Sequence, residues 1–215
     1  CHSQLHQMHR VEQDRPLVFG HEGTGIVTHV GKNVKHLKEG DFSIITWVPK
    51  TPIKGRLKRV LSGVTYRGKI VHNIVVQTWV EDALIESEYA IPIAKKHATD
   101  VSCIVGCAVL TGAGAVLNTA RVRPNDSVAV FGVGGVGLSA IKMAALLGAF
   151  PVIAVDLHDD KLALAKDFGA THVINASEND PVDSVIDISM GGVDFSFDAI
   201  GVKTTTEQIL PVTRS

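Results

Sequence analysis

In the second half of the chain, short unbroken apolar runs alternate with segments whose apolar residues return every three to four positions. "SVAVFG" is a short β-rich run, followed by a glycine-rich turn and the long apolar segment "GLSAIKMAALLGA". "PVIAVD" reads as a second buried strand, and "DDKLALAKDFGA" as a helix with Leu162, Ala165 and Phe168 on one side. Gly169 stands where a helix C-cap is expected. "THVIN" is a third strand. In "DPVDSVIDISMGG", Asp180 is the expected N-cap, Pro181 the first helical residue, and the glycine pair the stop. "VDFSF" sets Val193, Phe195 and Phe197 against Asp194 and Ser196, and "VKTTTEQILPVTRS" reads as a helix and the start of its exit loop. Strands are therefore expected over 128–131, 152–155, 172–174 and 193–197. Strands alternating with helices imply a parallel sheet with crossovers.

The first half has another texture. It holds most of the ten histidines, scattered Gly and Pro, and short alternating runs such as "GTGIVTHV" and "NIVVQTWVEDALI". These read as strands of an irregular, mostly β domain. The expected fold class is α/β, with a mostly β domain over 1–108 and a doubly wound parallel-sheet domain over 109–215.

Composition narrows the function classes. Apolar residues make up 45%, charged residues 20%, and the net charge is −1. Nothing global points to nucleic acid or a membrane as partner, and no apolar run approaches a membrane span. The three cysteines, Cys1, Cys103 and Cys107, are odd in number and widely spaced. That favours a reducing, cytoplasmic setting and metal or redox roles over a disulfide framework. Between Asp41 and Glu81 there is no acid, while Lys50, Lys54, Arg56, Lys58, Arg59, Arg67 and Lys69 crowd together. A solvated loop is the plain reading, an anionic substrate or a subunit contact the alternative.

"AVFGVGGVGLSA" places Gly132, Gly134 and Gly137 in G-x-G-x-x-G spacing, with Gly135 and Val136 completing the turn. The pattern follows an expected strand and opens an expected helix, the context it requires. Gly132 allows the tight turn, Gly134 lets a pyrophosphate approach the backbone, and Gly137 lets the helix pack on the sheet. Asp156 ends the second strand, where a carboxylate accepts from both ribose hydroxyls and repels a 2′-phosphate. NAD is thus expected over NADP, with His158 nearby to soften the repulsion. A strand–helix turn without a ligand is the other reading.

Cys1, His21 and Cys107 would make a Cys₂His set, which suits a catalytic zinc with one open position. Such distant residues meet only through the fold. Cys107 as a small core residue and His21 as a satisfied core histidine therefore stay open on these grounds.

Taken together, "CHSQLH", "PLVFGHEGTGIVTHVGKNVKHLKEGD", "GCAVLTGAGAVLNTARVRPNDSVAVFGVGGVGLSAIKMAALLGA", "VIAVDLHDDKLALAKDFGATHVINASE" and "VDFSFDAIG" resemble the zinc-containing alcohol dehydrogenases of the medium-chain dehydrogenase/reductase family. The resemblance runs over essentially the whole length. It implies a GroES-like catalytic domain joined to a Rossmann domain, with catalytic zinc between them. It puts Cys1, His21 and Cys107 on the zinc-ligand positions and Glu22 on the acid close behind the metal. Ser3 falls where a hydroxyl takes the alcohol proton, and His6 where the relay passes it to solvent. His2 matches a position against the pyrophosphate, Thr111 one beside the nicotinamide, and Lys161 one near the adenosine ribose. Cys103 matches no ligand and is expected in the core. The implied reaction moves a hydride from a small-molecule alcohol to NAD, giving an aldehyde or ketone, and runs in both directions. The implied assembly is a homodimer or homotetramer.

Two positions depart from the family pattern. Many relatives carry four cysteines for a structural zinc, but residues 41–91 contain none, so one catalytic ion is expected. Gln4 stands where an acid usually holds the ring of the ligand histidine, so weaker zinc retention is expected. A zinc-free reductase of the quinone oxidoreductase type, or a non-enzymatic NAD-binding protein, is the alternative function. Opening on "CHSQLH" and showing four Rossmann strands of the order 3-2-1-4-5-6, the chain reads as an internal fragment, expected to be inactive alone.

Overall fold

The computed structural model describes residues 2–9, 16–50, 65–71 and 76–214. It divides into two compact units, Cys1–Cys107 and Ala108–Ser215.

The first unit opens with helix α1 (His2–His9), followed by strands β1 (Gly23–Ile26) and β2 (Phe42–Ile45), the small hairpin β3 (Thr65–Tyr66) and β4 (Lys69–Ile70), and β5 (Ala90–Ile93). β1, β2 and β5 form an antiparallel sheet in that order, with Gly23 opposite Ile45 and Ile45 opposite Ala90. The turn into β2 is fixed locally, where the Asp41 carboxylate accepts from the Lys38 N–H at 2.9 Å. A 3₁₀ stretch, Val101–Gly106, begins at Asp100, whose side chain accepts from the Val101 N–H. One expectation fails here. In "NIVVQTWVEDALI", residues 73–75 lie outside the described residues, and 76–85 carry no strand. That stretch alternates too weakly to bury one face, and Trp79 and Leu84 are exposed.

The second unit contains α2 (Ala108–Gly114), β6 (Val128–Phe131), α3 (Gly135–Leu146), β7 (Val152–Asp156), α4 (Asp159–Phe168), β8 (His172–Asn175), α5 (Pro181–Ser189), β9 (Phe195–Asp198) and α6 (Lys203–Gln208). A π-helical turn, Ala115–Ala120, follows α2. The four strands are parallel in the order β8-β7-β6-β9. This is the expected first-four-strand order.

The unbroken apolar runs are explained by burial on both faces. Val128 and Val130 enter one core cluster with Ile141, Ala144 and Leu162, while Ala129 and Phe131 enter the other with Ile153, Val185 and Val193. Each fully buried Val or Ile contributes about 1.5–3 kcal/mol relative to exposure. Asp180 caps α5 as expected, accepting from the Val182 and Asp183 N–H groups. The stop comes one residue before the glycine pair, at Met190, which itself turns left-handed with φ 55°. Val193 also differs from expectation, because it joins the cluster opposite the one that receives Phe195 and Phe197. The cause is a bulge, since the N–H groups of Asp194 and Phe195 both donate to the Ser127 carbonyl. One extra residue reverses the alternation. Among the described residues no helix is long and apolar enough to cross a membrane.

Candidate functional site

In the first unit, segment 19–22 is laced to 78–79. The Trp79 and Thr78 N–H groups donate to the carbonyls of Phe19 and Gly20, and the Thr78 hydroxyl donates to the Glu22 carbonyl at 2.7 Å. This holds His21 and Glu22 side by side. The other approach is set by Gly106, where a Cβ would overlap the Ile45 carbonyl oxygen. Only glycine lets the 3₁₀ stretch lie against the end of β2. The Thr46 hydroxyl then donates to the Gly106 carbonyl at 2.8 Å, and the next residue is Cys107.

The result is a cluster. The donor atoms of His21, Glu22 and Cys107 all lie within 4.8 Å of one another. Cys107 is buried, and His21 and Glu22 are half-buried. Burial holds the His21 imidazole below its ordinary pKa, against the opposing pull of Glu22. A neutral imidazole, a thiol and a carboxylate gathered out of solvent form a donor set that fits zinc. Cys1 and the His2 side chain lie outside the described residues. Ser3 and His6 are exposed, one turn apart on α1, and Gln4 between them is buried at 6% exposure. Cys103 is half-buried, not a core residue, and stands outside the cluster. The indole of Trp47, half-exposed, lies 6.3 Å from the His21 ring. Sequence reasoning does not reach this residue, because nothing local marks a Trp that meets His21 only through the fold.

The second unit builds the glycine turn at the carboxyl end of β6. Gly132 takes φ +94°, and its N–H donates to the Val155 carbonyl at 2.8 Å. A Cβ on Gly137 would overlap the Gly132 carbonyl oxygen, so the helix seats on the turn only because that residue is glycine. Gly134 and Gly135 are exposed, and a Cβ on Gly134 would meet nothing within 4 Å. The N–H groups of Gly135, Val136 and Gly137, in the first turn of α3, have no intrahelical carbonyl to donate to. An open approach to such donors fits a pyrophosphate.

Asp156, 8% exposed, ends β7 beside this turn. One carboxylate oxygen accepts from the Val133 N–H at 2.8 Å, and the other accepts from Leu157 at 2.8 Å and His158 at 3.2 Å. Lys161 Nζ lies 3.7 Å from it. Thr111 is exposed on α2. On the opposite side of the turn, Ile200 stands so close to Gly132 that any Cβ there would overlap its Cγ1. Asp198 shapes that loop, accepting from the N–H groups of Ile200 and Gly201, both at 2.9 Å, and from the hydroxyls of Thr205 and Thr206. Burial pushes the Asp198 carboxyl up, but these donors outweigh it and hold the group below its ordinary value. Asp198 and Ile200 both fall in "VDFSFDAIG", but that segment gives neither a role, since each acts through the turn it meets in the fold.

Residues 1–81 match the model of the alcohol dehydrogenase GroES-like domain, and residues 135–215 that of the zinc-binding dehydrogenase. In its two parts the chain thus matches the domain pair of the zinc-containing alcohol dehydrogenases of the medium-chain dehydrogenase/reductase family. It is 34% identical to an alcohol dehydrogenase class-3 of Myxine glutinosa and 32% identical to an S-(hydroxymethyl)glutathione dehydrogenase of Komagataella pastoris. Each match covers 94% of this chain, which spans 60% of either relative's length. Benzyl alcohol dehydrogenase of Acinetobacter calcoaceticus is similar in structure, with TM-score 0.86 and 31% identity over 99% of this chain and 64% of that one. In this chain, then, the unit that contains the GroES-like match carries the His21, Glu22 and Cys107 cluster, and the unit that contains the zinc-binding dehydrogenase match carries the glycine turn.

Proposed function

We propose that this chain holds the metal and cofactor sites of an enzyme that moves a hydride between a small-molecule alcohol and NAD, giving an aldehyde or ketone reversibly. The observation that carries the reading is the convergence of His21, Glu22 and Cys107 within 4.8 Å. One zinc, which His21, Cys107 and Cys1 would hold, would supply Lewis acidity that lowers the pKa of an alcohol's hydroxyl toward neutrality, and NAD would supply the hydride acceptor. The Ser3 hydroxyl takes the alcohol proton and His6 passes it to solvent, a role that suits their exposure on one face of α1. Glu22 adds negative charge behind the metal site. Trp47 offers an apolar wall beside His21 and favours a substrate with an apolar body.

On the cofactor side, the first turn of α3 takes the pyrophosphate, with His2 as a further contact. Asp156 takes the ribose hydroxyls, which favours NAD over NADP, and Lys161 stands beside it. Thr111 lines the nicotinamide side. Cysteine usage fits the cytoplasm, and the relatives' family fits a homodimer or homotetramer.

Cobalt substitution tests the metal site. The wild-type chain should bind one cobalt with thiolate charge-transfer absorption, and a primary alcohol should shift its visible bands. Cys107→Ser should lose the charge-transfer absorption and most of the metal while still binding NADH. Undiminished metal and thiolate absorption in Cys107→Ser overturns the ligand assignment.

A further inference from the structure

α2 and α3 meet backbone to backbone, and the contact is made at a glycine outside the nucleotide fingerprint. Gly112 is buried in α2. A Cβ there would overlap the Val136 carbonyl oxygen and come within 2.9 Å of the Ala140 nitrogen and of the Ser139 Cβ. One turn earlier, the Ala108 Cβ lies 3.5 Å from the place a Cβ on Gly135 would take. Gly135 and Val136 are residues of the first turn of α3, the turn whose N–H groups face outward. On its other side this turn is already closed, because Gly137 rests against the Gly132 carbonyl. The turn is gripped from both sides with no slack. A methyl at position 112 would have to part the helices by about 1 Å, and the sheet side cannot take up that shift.

We infer that Gly112 is a positioning residue of the cofactor site: by letting α2 lie directly on α3, it fixes the first turn of α3 where a pyrophosphate is received. The inference rests on the reading of that turn as the pyrophosphate site. The mechanism differs from that of the fingerprint glycines, which shape the turn itself. Gly112 acts from behind, through the carbonyl of Val136. Gly114 provides an internal comparison. It lies on the same helix, but the nearest atom to a Cβ there is Asn118 Nδ2 at 3.9 Å.

The test is NADH binding by fluorescence titration, with competition by adenosine, which reaches Asp156 but lacks the pyrophosphate. Gly112→Ala should bind NADH at least about tenfold more weakly, the loss of one charge-assisted hydrogen bond. Its adenosine affinity should stay within about twofold of wild type, and Gly114→Ala should match wild type for both ligands. Should Gly112→Ala fail to fold, Ala108→Val, which adds methyls facing Gly135, carries the same test with a loss of about threefold. Equal NADH affinity in wild type and the Gly112 variant, or an equal loss of NADH and adenosine, overturns the inference and leaves the cofactor reading standing. A wild-type chain that binds adenosine but gains nothing from the pyrophosphate of NADH overturns both.

Discussion

Replacing Asp156 should cost this protein both its cofactor preference and part of its fold, in amounts that two variants separate. The carboxylate is 8% exposed and accepts the N–H of Val133, itself only 2% exposed. Water cannot take over that donor. In Asp156→Ala the Val133 N–H is left buried without an acceptor, at about 1–3 kcal/mol. The Leu157 and His158 N–H groups also lose their acceptor, but Leu157 is 57% exposed and solvent replaces it at little cost. The Lys161 contact is long at 3.7 Å and the lysine 45% exposed, so it adds under about 1 kcal/mol. A loss of about 2 kcal/mol lowers the melting temperature of a hundred-residue unit by roughly 10 °C. Asp156→Asn keeps an oxygen for Val133 and should melt within about 4 °C of wild type. Both variants remove the negative charge that, on the proposed reading, meets a 2′-phosphate. Both should therefore narrow the ratio of NADH to NADPH affinity, by about tenfold or more. The assays are thermal unfolding by circular dichroism and fluorescence titration with each dinucleotide. If Asp156→Ala melts with wild type, the Val133 bond contributes nothing. If the Asn variant keeps the full preference, the discrimination lies elsewhere.

Acid stability and metal retention can be read in the same way. Asp194 is held below its ordinary value, chiefly by the Ser127 hydroxyl and then by the Ser127 N–H, and Asp198 is held low by the donors of its own loop. A depressed folded pKa stabilises above the unfolded value of about 3.9 and is lost as pH falls through the folded one. The contribution of these two carboxylates to the urea midpoint should thus hold steady from neutrality to about pH 5 and drop below about pH 4. Asp194→Asn should flatten the drop, and an unchanged slope would remove Asp194 from this account. Gln4, buried on α1, lacks the charge that would raise the basicity of a ligand histidine. Gln4→Asp should slow zinc loss to a chelator by about tenfold, and an unchanged rate counts against a second ligand layer at this position.

Elements whose cause is local are legible in the order of the residues alone. The glycine turn, the Asp180 cap and the Gly169 stop with its φ of +111° depend on residues within a few positions of one another. What stays hidden depends on partners far along the chain. The bulge that turns Val193 over is made against Ser127, and the Trp47 indole reaches His21 only after β2 has paired. The left-handed Met190 is a subtler case. Two glycines follow it and both take positive φ, so the pair reads as the stop, yet the α5 hydrogen bonds end one residue before. The cluster of His21, Glu22 and Cys107 lies between these extremes. Its residue types are visible along the chain, but their meeting needs Gly106 to seat the 3₁₀ stretch against β2.

The position of β6 in its sheet carries a consequence for synthesis. On one side it pairs with β7, about twenty-four residues later by register, Val128 to Val152. On the other it waits for β9, and Ser127 is separated from Asp194 by 67 residues. A ribosome adding 5–20 residues each second needs about 3–13 s to cross that gap. During that interval the most apolar strand of the unit shows an unpaired edge to whatever else is being made nearby. The first bonds that can close it include the two from Ser127 to the Asp194 carboxylate, at 2.7 and 2.6 Å. Their effect on the yield of nascent protein in the cell can therefore exceed their effect on the stability of the finished fold.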